Sequence, residues 1–482
     1  MLNGAYNGVV IILCTPFYVT YLGIDGYAVI SFWLMMQLFL LVFDMGFGAT
    51  LIKEFAASSL GYEGSKLKLD FLRTFELITF WVAAGLAVLL IFLANFGGEY
   101  WFRSSAISTD NMSDILMVMA IALAVQFPSS LYASGLVGLH RHREVSLLQI
   151  GWNTARYGLG LAVIICTKNL VIFFFLQTAI ALLQSLSIRR VLLSRIPSVV
   201  PYKARFNLNL IRRAWVFSLG IAATSFIAVA VTSIDRLMLT VMLSAEDVGK
   251  YALAFSAAGL IQMGIQPFYR VFYPKFSELI GADDSDILRD VYFDSCSFTA
   301  SLIIPIAVVG AVFSSYLFYA WMGVVYPETI LAFRILLISI AMSGLMWLPA
   351  AFQHAHNWTQ LHMMIMVGAI VVGIPATFLA IEKYGLVGGA AIWVVHGSLQ
   401  VTVELYLMHR RLLVGQMANW CRVVVLPPLF VSIPLSLVSL QFIPSDLGRW
   451  ASFAWPAATG FVILVILYLS TLKSNKRVFM GH

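Results

Sequence analysis

Long apolar runs separated by short charged segments follow one another along almost the whole chain. A hydrocarbon core of about 30 Å is crossed by roughly 20 residues of helix. By that measure fourteen runs qualify, near 3–22, 26–50, 74–96, 114–137, 146–167, 169–188, 215–241, 249–271, 297–321, 328–352, 360–381, 386–408, 422–440 and 450–471. The pattern predicts an all-α polytopic membrane protein with about 14 transmembrane helices. Several runs contain a charge. Ala214–Leu243 holds Asp235 and Arg236 deep inside it, Asp44 lies in the second run, Arg156 in the fifth, Arg334 in the tenth and Glu404 in the twelfth.

Composition supports the membrane reading. Of 482 residues 61% are hydrophobic and only 11% charged, where a soluble protein has roughly a quarter charged. The net charge of +7 raises the question of nucleic acid, but the basic residues gather in alternate segments between the runs. Twenty-two Lys and Arg fall on one side of the predicted topology and 5 on the other, so both termini are expected in the cytoplasm and nucleic acid is excluded as a partner. Cys14, Cys166, Cys296 and Cys421 show neither framework spacing nor a CxxC pair and read as free thiols. The first run, diluted by Asn3, Gly4 and Asn7 and kinked by Pro16, is expected to insert as its own uncleaved anchor.

A faint repeat divides the chain. LGIDGYAV at 22–29, followed by an apolar run and Lys53-Glu54, is echoed by GKYAL at 249–253, a second run and Lys275 to Glu278, with Tyr27 aligned on Tyr251. The expected organisation is an N-terminal six-helix bundle (1–195), a basic cytoplasmic linker (196–213), a C-terminal six-helix bundle (214–411) and two additional transmembrane helices with a cytoplasmic tail (412–482). An even helix number per bundle makes the halves parallel repeats.

VFDMGFGATLIKEFA (42–56), GLVGLHRHREVSLLQI (135–150), SIDRLMLTVMLSAEDVGKYALA (233–254), FYPKFSELI (272–280), LIIPIAV (302–308) and YGLVGGAAIW (384–393) each resemble segments of the polysaccharide-transporter or Wzx-like flippases. That family belongs, with the MATE multidrug pumps, to the MOP exporter superfamily. The resemblance implies a bacterial inner-membrane flippase. Its cargo would be undecaprenyl-diphosphate-linked oligosaccharide for O-antigen, capsule or exopolysaccharide, moved by alternating access between two bundles. It also implies a lipid-linked substrate, membrane lipids, and polysaccharide polymerase and chain-length proteins as partners. The chain departs from the family at its start, where Met1 falls almost within the first run.

The charges inside the runs supply the candidate chemistry, because ionisable groups in hydrocarbon are costly and mark pathways or pairs. Arg156, Arg236 and Arg334 are the candidate substrate-binding residues, since guanidinium offers a permanently charged fork of donors to a diphosphate. Asp44, Asp235 and Glu404 are the candidate ion-coupling sites. The alternative for each is structural. Asp235 and Arg236 point about 100° apart on a helix and are expected to find partners elsewhere, Asp44 can pair with Lys53, and Glu404 can sit at the interface near Arg410 and Arg411.

His354, His356 and His362 share no helix face and predict no metal site, His396 reads as packed and hydrogen-bonded, and no cofactor is implied. Gln37, Asn153, Gln177, Gln262, Gln266 and Gln400 could meet sugar hydroxyls or bridge helices. The longest outer loop, 97–113, carries Glu99, Arg103 and Asp110 without an acid–base arrangement. No catalytic residue is therefore assigned, and a membrane-bound polymerase or ligase ranks below the flippase. The remaining alternative is a MATE-like multidrug or cation exporter, for which three arginines are unfavourable.

Overall fold

A computed structural model describes residues 2–43, 46–57, 62–97, 109–196, 202–282, 284–444 and 447–474. Among them every regular element is a helix, as a membrane segment requires when no water can satisfy its backbone. Eleven stretches of the described residues are long and apolar enough to cross a membrane. Two of these, 6–40 and 360–412, each cover two of the predicted runs, and the run 146–167 lies on a further helix outside the eleven. The chain forms two compact units that divide between Gly249 and Lys250.

The N-terminal unit begins with α1 (Leu2–Phe43), which runs through Pro16 and breaks at Gly23, where φ is 74°. Glycine adopts that left-handed backbone at little steric cost, and the break separates the first two predicted runs. There follow α2 (Phe47–Ala57), α3 (Tyr62–Gly97), α4 (Thr109–Gln126), α5 (Pro128–Gly138), α6 (His142–Thr167), α7 (Leu170–Arg195) and α8 (Leu208–Met242). Pro128 starts α5, a position where its missing N–H costs no bond. The Asn169 side chain caps α7 by accepting from the amides of Val171 and Ile172.

Phe47, Leu51, Phe71, Phe75, Leu131, Leu136, Leu192 and Leu210 form a core between α2, α3, α5, α7 and α8. Outward faces carry Phe80, Trp81, Val88 and Phe92, apolar side chains suited to lipid.

The helix α8 packs on α1 and α2, so the division falls beyond the basic segment 196–213. Three contacts hold it there. Thr50 and Ser218 hydroxyls meet at 2.8 Å in a buried hydrogen bond. A Cβ on Gly46, whose φ is 70°, would stand 2.6 Å from the Ser218 carbonyl oxygen. Before α8, Asp70 on α3 accepts from the Tyr202 hydroxyl at 2.6 Å and from the Arg205 amide at 2.7 Å.

The C-terminal unit takes up α9 (Ala245–Gly281) from Lys250 onward. It continues with α10 (Ser285–Val312), α11 (Ser314–Met322), α12 (Pro327–Leu345), α13 (Trp347–Ala355) and α14 (Gln360–Tyr384). A 3₁₀ turn, Gly385–Ala390, leads to α15 (Ala391–Leu399), a π-helical turn Gln400–Glu404, and α16 (Leu405–Leu412). Then come α17 (Met417–Trp420), a second π turn Cys421–Val425, α18 (Leu426–Gln441) and α19 (Arg449–Ser474). Phe276, Tyr292, Cys296, Phe352, Leu405, Met408 and Trp420 make its core. The last two long helices, α18 and α19, pack on α10, and Arg449 at the start of α19 donates to the Ala320 and Trp321 carbonyls at the end of α11.

Candidate functional site

Among the described residues of the N-terminal unit Arg156 is the most deeply buried arginine, 4% exposed. It projects from α6 towards α7 and α1. One terminal nitrogen donates to Gln184 Oε1 at 2.8 Å, and the guanidinium carbon lies 5.8 Å from the centre of the Trp33 ring, within cation–π range. Gln177, one heptad before Gln184 on the same face of α7, reaches the Arg156 carbonyl at 3.5 Å. Among the described residues no carboxylate lies within ion-pairing distance of Arg156, and its Nε has no partner. A charge buried without a counter-ion costs several kcal/mol (about 3 or more), of which a neutral amide and a ring face recover only part. Beside it is a cavity of about 10 Å³, lined by Tyr18, Trp33, Tyr157, Phe173 and Gln177 among others. That is room for about one water molecule.

Arg236 is held differently. It donates to the Thr232 carbonyl at 3.0 Å and the Ser233 hydroxyl at 3.1 Å, and its Nε comes within 4.0 Å of Asp235 Oδ1. The two neighbours thus approach one another at the limit of ion-pairing distance, without a hydrogen bond between these atoms. Their Cα–Cβ bonds diverge, but the arginine stem is long enough to fold back on its own helix. Asp235 is fully buried and the Arg236 side chain is 14% exposed.

Arg334 belongs to the C-terminal unit, where its Nε donates to the Ala311 carbonyl at 3.0 Å and the Ser314 hydroxyl at 2.7 Å. It stitches the break between α10 and α11 and leaves its two terminal nitrogens without a hydrogen bond to the described residues. Asp44 lies outside the described residues, as does most of the 97–113 loop.

Glu404 is fully buried within its unit, 0% exposed. Its Oε1 accepts from Gln353 Nε2 at 3.3 Å and lies 2.9 Å from His362 Nδ1, while Oε2 has no partner. The α13–α14 hairpin brings His354 and His362 to 5.6 Å between ring centres, and the Tyr269 hydroxyl is 2.7 Å from His354 Nδ1. His396, expected to be hydrogen-bonded, is buried with both ring nitrogens unpartnered. No group of His, Cys, Asp and Glu among the described residues could hold a metal.

Two partners were missed from the sequence, Gln184 and Trp33. The seven-residue spacing of Gln177 and Gln184 was the available signal for the first; nothing marked Trp33 among 12 tryptophans.

The sequence profile of the polysaccharide biosynthesis protein family matches residues 4–280. A candidate O-antigen transporter of Shigella flexneri is 20% identical over 401 residues, spanning 80% of this chain and 90% of that protein. Among solved structures, the lipid II flippase MurJ in an inward closed conformation has a TM-score of 0.69 at 13% identity, with 99% of each chain covered. An inward-facing multidrug resistance MATE family transporter of the MOP superfamily has a TM-score of 0.67 at 11% identity, covering 87% of this chain and 96% of that one. At these identities the solved structures speak for the fold alone.

Proposed function

The chain belongs to the polysaccharide biosynthesis protein family, and on that premise we propose that it flips undecaprenyl-diphosphate-linked oligosaccharide from the cytoplasmic to the outer leaflet of the bacterial inner membrane. It is a carrier and not an enzyme, in keeping with transporters and flippases among its relatives and fold neighbours. Both termini are read as cytoplasmic, and polymerase and chain-length proteins as downstream partners. The product is O-antigen, capsule or exopolysaccharide; the relative from Shigella flexneri favours O-antigen.

One observation carries the reading: Arg156, buried in a membrane unit and bonded only to neutral groups among the described residues. An arginine cannot escape its situation by losing a proton. What it lacks is an anion, and a lipid diphosphate supplies one with oxygens matched to the guanidinium fork. Gln184 and Trp33 orient the fork. Arg236, which retains partial exposure, is the further contact proposed for the same headgroup; Arg334, whose terminal nitrogens make no hydrogen bond to the described residues, is proposed as a separate anion contact of the C-terminal unit. A cavity of about 10 Å³ is far too small for a diphosphate, so binding requires α1, α6 and α7 to part around Arg156. A cationic drug meets repulsion at the same place, which disfavours the multidrug reading.

The test is a deletion strain complemented with Arg156→Gln. The reading predicts normal protein levels, loss of surface polysaccharide and undecaprenyl-linked repeat units accumulating on the cytoplasmic side. Full complementation overturns it.

A further inference from the structure

The C-terminal unit contains a cluster that substrate binding does not use. Glu404 closes a π-helical turn, a widened geometry found mostly at functional sites, and is completely buried. Among the described residues it meets no Lys or Arg. Its partners are the Gln353 amide on α13 and the His362 ring on α14. Around this pair stand His354, its ring 5.6 Å from that of His362, Tyr269 bonded to His354, and His396 and Gln400, which precede Glu404 at intervals of four on its own helix and are themselves buried. A carboxylate in such a place cannot remain charged without a cation beside it. Among the described residues no cation is within reach, and imidazole is a neighbour able to become one.

We propose that His362 and Glu404 form a single proton-binding site in the C-terminal unit, loaded when the cluster is closed and emptied when it opens to water. Neutral imidazole beside carboxylate carries one negative charge. Taking up one proton, which enters through the imidazole and comes to rest on the carboxylate, leaves imidazole beside carboxylic acid, a pair that is neutral and fit for burial. Only an N–H or O–H bond forms or breaks, and the proton comes from and returns to water. The His362 side chain is 22% exposed where that of Glu404 is 0%, so His362 is the route of entry. His354, held by Tyr269, sets the cost of a second positive charge next to it. Because the closed arrangement requires the proton, a proton gradient across the membrane biases this unit between its states. That last step rests on the transport reading; the site itself does not.

The experiment uses the purified full-length protein. Infrared difference spectra between about pH 5 and about pH 8, the window in which histidine titrates, should show a protonated carboxyl signal that appears on acidification and is absent in Glu404→Gln. Persistence of that signal in Glu404→Gln, or its absence from the native protein, overturns the proposal. Should Glu404→Gln fail to fold, His362→Gln decides, because it keeps the carboxyl. The midpoint of the signal should then move by about one pH unit or more, a difference of about tenfold in proton affinity; an unmoved midpoint contradicts a shared site. In proteoliposomes carrying lipid-linked oligosaccharide, an imposed pH gradient should accelerate flipping by the native protein and not by either variant. Equal acceleration in the variants refutes the coupling. If the native protein carries no such lipid while the infrared result holds, the cargo assignment fails and the proton site stands.

Discussion

Each unit buries an ionisable side chain among neutral neighbours, and the two charges are of opposite sign. In the N-terminal unit Arg156 rests on Gln184 and the Trp33 ring. In the C-terminal unit Glu404 rests on Gln353 and the His362 ring. Their chemical options differ. A guanidinium stays protonated at any relevant pH, so the N-terminal unit holds a permanent positive charge that no carboxylate among the described residues balances. A carboxyl can be neutralised by a proton, alone or shared with imidazole, so the C-terminal unit can complete itself from solvent. On the proposed reading, one unit waits for a headgroup and the other responds to acidity.

The comparison can be broken most forcefully at Arg156. Replacement by Gln should lower surface polysaccharide by about a hundredfold, the consequence of losing a buried charge contact with the cargo. Arg156→Lys keeps the charge but not the planar fork and should still lose about tenfold. Repeat-unit export in the deletion strain, with membrane protein quantified alongside, measures both. Gln184→Leu removes the one hydrogen bond that orients the guanidinium and should reduce export by about tenfold at unchanged expression, matching a bond of roughly 1.5 kcal/mol to a charged group. Should Gln184→Leu cost nothing, the cradle is not positioning the arginine.

Much of this contrast was legible in the chain and some was not. The predicted runs lie on helices because apolar length is a local property, and the family resemblance held because it rested on several segments in order. Arg156 stood out as a charge in an apolar run. Its isolation did not, since whether a carboxylate lies opposite depends on which helix packs there. Glu404 stood out as an acid near Arg410 and Arg411, but its burial against His362 did not, since the π turn and the α13–α14 hairpin that enclose it are set by tertiary packing. The same hairpin unites His354 and His362, whose sequence spacing suggested no common face. Asp235 and Arg236 approach each other because a four-bond stem outweighs the divergence of adjacent helical positions.

Smaller effects sharpen the account of each unit's framework. Gly46→Ala forces a Cβ to 2.6 Å from the Ser218 carbonyl at a φ of 70° and should destabilise the N-terminal unit by about 1–3 kcal/mol, read as a lower melting temperature of the detergent-solubilised protein. No change in melting would mean that α8 is not seated on α2 as described. Arg334→Gln gives up two bonds across the α10–α11 break and should cost about 1 kcal/mol, with export falling less than for Arg156→Gln. Least of all, Arg195→Ala breaks a half-exposed pair with Glu144 and should stay within about 0.5 kcal/mol of the native stability in the same melting assay.

The central claim is that the uncompensated charge of Arg156 receives the diphosphate of a lipid-linked sugar. It is tested most directly by measuring equilibrium binding of an undecaprenyl-diphosphate-linked oligosaccharide to the purified protein and to Arg156→Gln at matched folding. The account predicts a loss of affinity of at least about tenfold in the variant, corresponding to about 1.4 kcal/mol, and a weaker dependence of binding on salt than native protein shows. Equal affinity and equal salt dependence in the two proteins would contradict it.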